Sequence, residues 1–442
     1  MGIALMQNAL STKAGRLFTF GTLYIAEGVP LGFTATAMAA YMRREGLDVS
    51  QIGAFVGMLY LPWGFKWAWA PLVDMFRLDR FGGRKAWIVI CQAMMILTLI
   101  VVGLMDYSSN FQLLLALILF HNVFAATQDI AIDALAVNTL REDERGTGNG
   151  FMFGGAYLGQ GLGGGGALFV AGFWEFEAAL VYACLLLSVI LFFALFFVKD
   201  PAISSKLEPV AANPVREAVQ AVKHIGIELF NGMFRSGKGP MMGFLFALTP
   251  IGAMALSNAI GTTLQVDYGL SDNDLAQISL YSTVLAGAGC VIGGFLGDLF
   301  GLRKMIALFY ALSALPGIYL AMSWGANPAL PAISRETMFA VFLLAGLTTG
   351  LHYGIAAGVF MSLTNPAVAA TQFTGFMALH NLVISYSNNW QGWMAENVSY
   401  SSVLWLDAVL VIIPIVILPF MTPREAKEEV APSTGVPLPN AS

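Results

Sequence analysis

Residues 293–306 read GGFLGDLFGLRKMI, and residues 71–87 read PLVDMFRLDRFGGRKAW. Each stretch ends an apolar run on an aspartate, Asp298 or Asp74, and opens the next run on an Arg-Lys pair, Arg303-Lys304 or Arg84-Lys85. A second echo pairs Gly150-Phe151-Met152 with Gly375-Phe376-Met377. The aspartates lie 224 positions apart and the glycines 225, so both echoes describe one internal repeat. A repeat of that length in an apolar chain is the sign of two duplicated helical halves.

Composition agrees. The chain has 442 residues, 57% hydrophobic and 11% charged, against about 25% charged in soluble domains. Its mean hydropathy is +0.72. Runs of about 20 residues with few charges recur throughout, too long and too continuously apolar for the alternating strands of a membrane β-barrel. The expected class is an all-α polytopic membrane protein with twelve spans: 17–42, 52–74, 86–105, 111–138, 146–172 and 178–199, then 240–266, 275–299, 304–325, 336–364, 372–394 and 402–422. The first run lacks a convincing small-residue cleavage site and is expected to be retained. Cys91, Cys184 and Cys290 stand far apart in apolar runs and fit no disulfide or metal pattern.

Placing the N-terminus in the cytoplasm puts eighteen of the 22 Lys and Arg on the inner side. Arg43, Arg44 and Arg335 fall outside, and Lys66 lies within a span. That asymmetry predicts an inner (cell) membrane protein with both termini cytoplasmic. The expected units are residues 1–199 (six-helix half), 200–239 (cytoplasmic linker), 240–422 (second half) and 423–442 (disordered tail). Within the linker, Val215, Val219, Val222, Leu229 and Met233 share helical spacing, which predicts an amphipathic surface helix.

GGFLGDLFGLRK resembles the signature cytoplasmic loop of the major facilitator superfamily. EGVPLGF (27–33), LPWGFKWAWAPLVD (61–74) and ATQDIAIDALAV (126–137) resemble that superfamily's AmpG-like group, which includes muropeptide permeases, siderophore importers and acetyl-coenzyme A transporters. The likeness is close over the first half and at superfamily level in the second. It implies secondary transport by alternating access, proton-coupled, with two pseudo-symmetric six-helix halves. Where the AmpG permeases tend to carry a Tyr-Arg pair in the fifth span, this chain reads Ala156-Tyr157, without a cation for an anionic muropeptide. Asp74, Arg84, Lys85, Asp298, Arg303 and Lys304 are the expected conformational latch, acids at helix ends facing bases and helix N-termini. The plainer reading makes these charges topogenic anchors, and it is preferred for Arg77 and Arg80.

Four ionisable residues lie well within spans: Glu27, Lys66, Asp129 and Asp133. Each costs about 2.5 to 3.5 kcal/mol at mid-bilayer on insertion scales and should face a cavity or a partner. Asp129 and Asp133 are four apart, on one face of the fourth span. Two close carboxylates in low dielectric resist double ionisation, which proton coupling requires. Lys66 is expected to pair with one of the acids, and Gln128 joins the candidate coupling set. The same charges could instead form a buried ion pair that only fixes helix packing. Tyr157, Gln160, His352, Tyr353, His380, Asn381, Ser385 and Asn388 are the expected cavity lining. The second half thus offers hydrogen bonding where the first offers charge, although singly each polar residue could serve as interhelical glue.

GQGLGG (159–164) matches a dinucleotide fingerprint formally, but no strand precedes it. Glycines at four-residue intervals there predict close helix packing. No cofactor is expected. Neither a zinc motif, nor a Ser/His/Asp set, nor a catalytic-sized extramembrane domain supports an enzyme, and the scattered basic residues do not suit nucleic acid. The expected function is a proton-coupled transporter of a medium-sized polar solute such as a siderophore or muropeptide-like molecule, acting as a monomer in the bilayer. The alternatives are a proton antiporter exporting drugs or metabolites, a membrane-embedded enzyme, and a transport-derived sensor.

Overall fold

The computed structural model describes residues 8–75, 78, 82–105, 110–141, 144–200, 214–250, 254–324, 330–364 and 369–421. Helices account for the regular structure of these residues, and no strand occurs among them. In chain order they are α1 Lys13–Gly32, α2 Ala39–Arg44, α3 Val49–Phe65, α4 Ala70–Met75, α5 Arg84–Gly103 and α6 Phe111–Thr139. Next come α7 Arg145–Gly161, α8 Ala167–Ala171, α9 Phe176–Phe197, α10 Pro214–Phe234, α11 Lys238–Ala247 and α12 Ala259–Asp267. The chain closes with α13 Asp272–Phe300, α14 Leu302–Met322, α15 Arg335–Met361, α16 Ala369–Asn397, α17 Tyr400–Leu410 and α18 Ile412–Ile417.

Seven of these segments are long and apolar enough to cross a membrane by length and composition: α5, α6, α9, α13, α14, α15 and the run Tyr400–Phe420. The other expected spans fall short for identifiable reasons. A π-helical segment, Phe33–Met38, joins α1 to α2, and another, Leu162–Gly166, joins α7 to α8. The second expected span breaks at Lys66, where a 3₁₀ turn, Lys66–Ala68, separates α3 from α4. The seventh breaks between α11 and α12 around a 3₁₀ turn, Ala255–Ser257. α16 is continuous but carries His380, Asn381, Asn388, Asn389 and Gln391 along its length. Helix irregularity and polarity at membrane depth are tolerated where the backbone is buried in protein or lines a cavity.

Close helix pairs rest on glycine. α1 packs along α7 and the π-helical segment after it, where a β-carbon at Gly163 would overlap the Val29 carbonyl. α13 packs along α15, and one at Gly350 would overlap the Ala286 carbonyl. Backbones therefore meet directly, as small-residue faces allow. α3 and α16 form the main contact between the helices before α10 and those after it. In α10, Met233 is buried against α11 and α16, while Val219, Ile227 and Phe230 are exposed. Val215 lies outside the described side chains.

Candidate functional site

The break after Phe65 turns Lys66 toward α6, where its ammonium forms an ion pair with Asp129. Asp129 is buried, while the Lys66 side chain stays 26% exposed. One helical turn further along α6, Asp133 accepts a 2.5 Å hydrogen bond from the Tyr24 hydroxyl of α1. Glu27, one turn from Tyr24, lies within electrostatic reach of Asp129, Asp133 and Lys66, and its Oε1 is buried without a hydrogen-bond partner among the described residues. Thr127 anchors the corner by accepting from Trp69 Nε1 at 3.1 Å. Three acids thus converge on one lysine, leaving two negative charges to balance if all are ionised.

Gln128 is placed elsewhere. One residue from Asp129 is about 100° around a helix. Its amide donates to Gln92 Oε1 at 2.9 Å and to the Ile88 carbonyl at 3.2 Å, which ties α6 to α5.

A second polar layer joins the two sets of helices. Tyr157 of α7 meets the Cys290 thiol of α13 at 3.5 Å. Tyr353 of α15 contacts His380 Nε2 of α16 at 2.9 Å, and Tyr60 of α3 lies within electrostatic reach of Tyr353. His352 is buried between the Tyr310 and Tyr353 rings, at 5.2 and 5.4 Å. Asn388 accepts the Ala259 amide at 3.2 Å and donates to the Ile384 carbonyl, holding the start of α12. Asn381 donates back to the Met377 carbonyl, and Ser385 is buried.

Above this layer lies a cavity of about 200 Å³. Tyr157, Gln160, Tyr60, Asn258, Gln265 and Ser282 supply much of its polar lining, and among the described residues no Asp, Glu, Lys, Arg or His lines it. Of the expected lining residues, it gathers Tyr157 and Gln160; the others lie in the layer beneath or along α16. At the end of the bundle away from Lys13, Arg43 pairs with Asp267 at 2.7 Å and Arg44 with Asp272 at 2.9 Å. Val49 N–H donates to Glu396 at 2.9 Å beside them.

At the opposite end the expected latch is not assembled among the described residues. Asp298 and Lys304 are exposed, and no ion pair joins Asp298 to Arg303. The Arg84 amide donates to Asp200 at 2.9 Å, and Lys85 donates to the Leu195 carbonyl at 2.6 Å. The Asp74 side chain lies outside the described residues.

The sequence pattern of the Major Facilitator Superfamily matches residues 20–385. The chain belongs to that superfamily. Within it, the chain is an AmpG-like transporter. It is 26% identical over 411 residues to the anhydromuropeptide permease of Escherichia coli (strain K12), covering 90% of this chain and 77% of the permease. It is 23% identical over 399 residues to the putative transporter AmpG 4 of Rickettsia conorii, covering 86% and 92%. Among solved structures, the nucleoside transporter NupG superposes with a TM-score of 0.71 at 14% identity, over 92% of this chain and 99% of that one. A D-xylose-proton symporter gives 0.63 at 12% identity, over 93% and 95%. At such identities the likeness shows the fold alone.

For a major facilitator transporter, sequence reasoning had missed Tyr24, Tyr60 and Cys290 of these layers, and Asp407 of α17, which accepts from the Ala255 amide and Gln391. The first three are ordinary in apolar helices and carry no signal. Asp407 carried the same signal as Asp129, a lone acid in the apolar run VLWLDAVLVI, and makes a fifth membrane-embedded ionisable residue.

Proposed function

We propose that this AmpG-like protein is a proton-coupled secondary transporter. It moves an uncharged or weakly charged polar solute by alternating access between two six-helix halves, residues 1–199 and 240–422, with both termini cytoplasmic. The observation that carries the reading is the convergence of Glu27, Asp129 and Asp133 on the single cation Lys66. An excess of buried carboxylates over cations needs protons to approach neutrality.

The neutral cavity supports the solute class. Hydroxyls and amides match a hydrogen-bonding solute, and an anionic group would find no cation on the described lining. About 200 Å³ is below the usual range of about 300–1,000 Å³ for ligand pockets, as suits a site squeezed shut at its outer end. The outer ion pairs and the separated Asp298 and Arg303 favour a conformation closed to the outside. The anhydromuropeptide permease relationship makes saccharide-containing solutes the first candidates to test.

The test is uptake into proteoliposomes under an imposed pH gradient, with a panel of neutral saccharides, muropeptides, siderophores and acyl-coenzyme A. The reading expects gradient-stimulated uptake of a neutral polar member. Uptake indifferent to the gradient for every transported solute would overturn the coupling.

A further inference from the structure

Among the side chains that hold the elbow between α11 and α12, which include Asn388 and Tyr386, one is a carboxylate. Asp407 of α17 accepts the Ala255 amide at 2.6 Å through one carboxylate oxygen and Gln391 Nε2 of α16 at 3.1 Å through the other. It is buried, 4% exposed, and no cation pairs with it among the described residues. Among the described residues, none of the titratable side chains on the helices around it, from Arg303, Tyr310 and Tyr319 on α14 to His380, Tyr386 and Glu396 on α16, forms a hydrogen bond or ion pair with it. His352 of α15 does not either.

Holding the elbow does not by itself call for a charge. An asparagine would accept from Ala255 equally well and could donate to a turned Gln391 amide. What the acid adds is a proton-accepting group, and a small cavity of about 10 Å³ lies against it, room for about one water. Ser257, Ser313 and Thr349 line that cavity with Asp407. Leu256, Ser257 and Thr349 also line the central cavity, so the two spaces share a wall.

We infer that Asp407 is a second proton-binding site, reached from the central cavity through the small one, whose protonation sets how firmly the elbow of the broken span is held. A carboxylate accepts from both donors at once. A neutral carboxyl is the weaker acceptor, and its own O–H either displaces one donor or requires the Gln391 amide to turn. The elbow carries Ser257 and Asn258 into the central cavity, so loosening it reshapes the cavity wall. This site stands apart from the Lys66 cluster and does not require that cluster to be the coupling site.

The test is hydrogen exchange of the purified full-length protein across pH, corrected for intrinsic amide chemistry and read at residues 255–257. The wild type should lose about tenfold protection on the acidic side, the difference between a charge-assisted and a neutral hydrogen bond. Asp407→Asn should hold the elbow at one level at every pH, while Asp129→Asn should keep the transition. A wild-type elbow indifferent to pH overturns the inference, as does a transition that persists in Asp407→Asn or vanishes in Asp129→Asn. Should Asp407→Asn not fold, Gln391→Leu must move the transition along the pH axis, and an unmoved transition is equally contrary.

Discussion

Arg43 and Asp267 lie 224 positions apart and meet in a two-pronged ion pair, Nε to one carboxylate oxygen at 2.7 Å and Nη2 to the other at 2.9 Å. Tyr400 donates to the same carboxylate at 2.6 Å. The separation equals that of Asp74 and Asp298, so equivalent positions of the repeat touch each other. Copies related by an approximate twofold meet at equivalent positions on its axis. The pair therefore ties α2 to α12 at the end of the bundle away from Lys13.

Breaking it should favour the outward-open state. Asp267→Asn removes the charge and leaves an acceptor for Tyr400. A partly exposed pair is worth up to about 1 kcal/mol, or about a fivefold shift in population. The check is labelling of a cysteine placed at Thr262, in a background lacking Cys91, Cys184 and Cys290, by an impermeant maleimide. Faster labelling by about that factor is expected.

Lys66 and Asp129 should behave as a unit. Lys66→Met leaves Asp129 buried without its cation, and removing one partner of such a pair costs about 3–5 kcal/mol. Thermal unfolding should fall markedly in Lys66→Met and recover in Lys66→Met/Asp129→Asn. Gradient-driven uptake should be absent from both. A double variant no more stable than the single would show that the pair is not coupled.

The base of the α1–α7 pair should be acid-sensitive. Glu144 accepts from Arg16 at 2.5 and 2.8 Å, and that guanidinium, with the Arg141 amide, pulls its carboxyl down to about 2. A folded value below the unfolded value of about 4.3 gives stability that is full above it and drains away as pH falls toward 2. Differential scanning of the wild type between roughly pH 5 and pH 3 should show a falling melting temperature. Glu144→Gln should start lower and lose that component of the slope.

Two glycines should part company. Gly163→Val drives methyls into the Val29 carbonyl and should cost about 1–3 kcal/mol or more, read as lost monodisperse yield and lower thermal stability. Gly287 has open space where a β-carbon would go, so Gly287→Ala should be neutral or slightly stabilising.

The charged cluster was legible because of a solvent rule. A carboxylate in an apolar run must find a partner, and Lys66 was the base available within the spans. The superfamily was legible in the Asp74 and Asp298 loops. The placement of Gln128 was not, since one residue's rotation carries a polar group from a cavity face to a packing face. Tyr24 and Tyr60 look in sequence like any aromatic in an apolar helix, and only the neighbouring helix makes them polar partners. The breaks at Lys66 and Ala255 were read through as continuous spans. Pro62 and Pro250 lie near them, but whether a helix kinks or parts there is decided by what satisfies the freed backbone, here Asp407 for Ala255.

The central claim is that the acids around Lys66 carry the protons that drive transport. Its most direct measurement compares net uptake under a pH gradient with solute exchange at equal pH, in proteoliposomes holding wild type, Asp129→Asn or Asp133→Asn. Exchange moves no net proton, so the account predicts that at least one variant keeps exchange within a few-fold of wild type and loses gradient-driven uptake. Gradient-driven uptake at the wild-type level in both variants would contradict it.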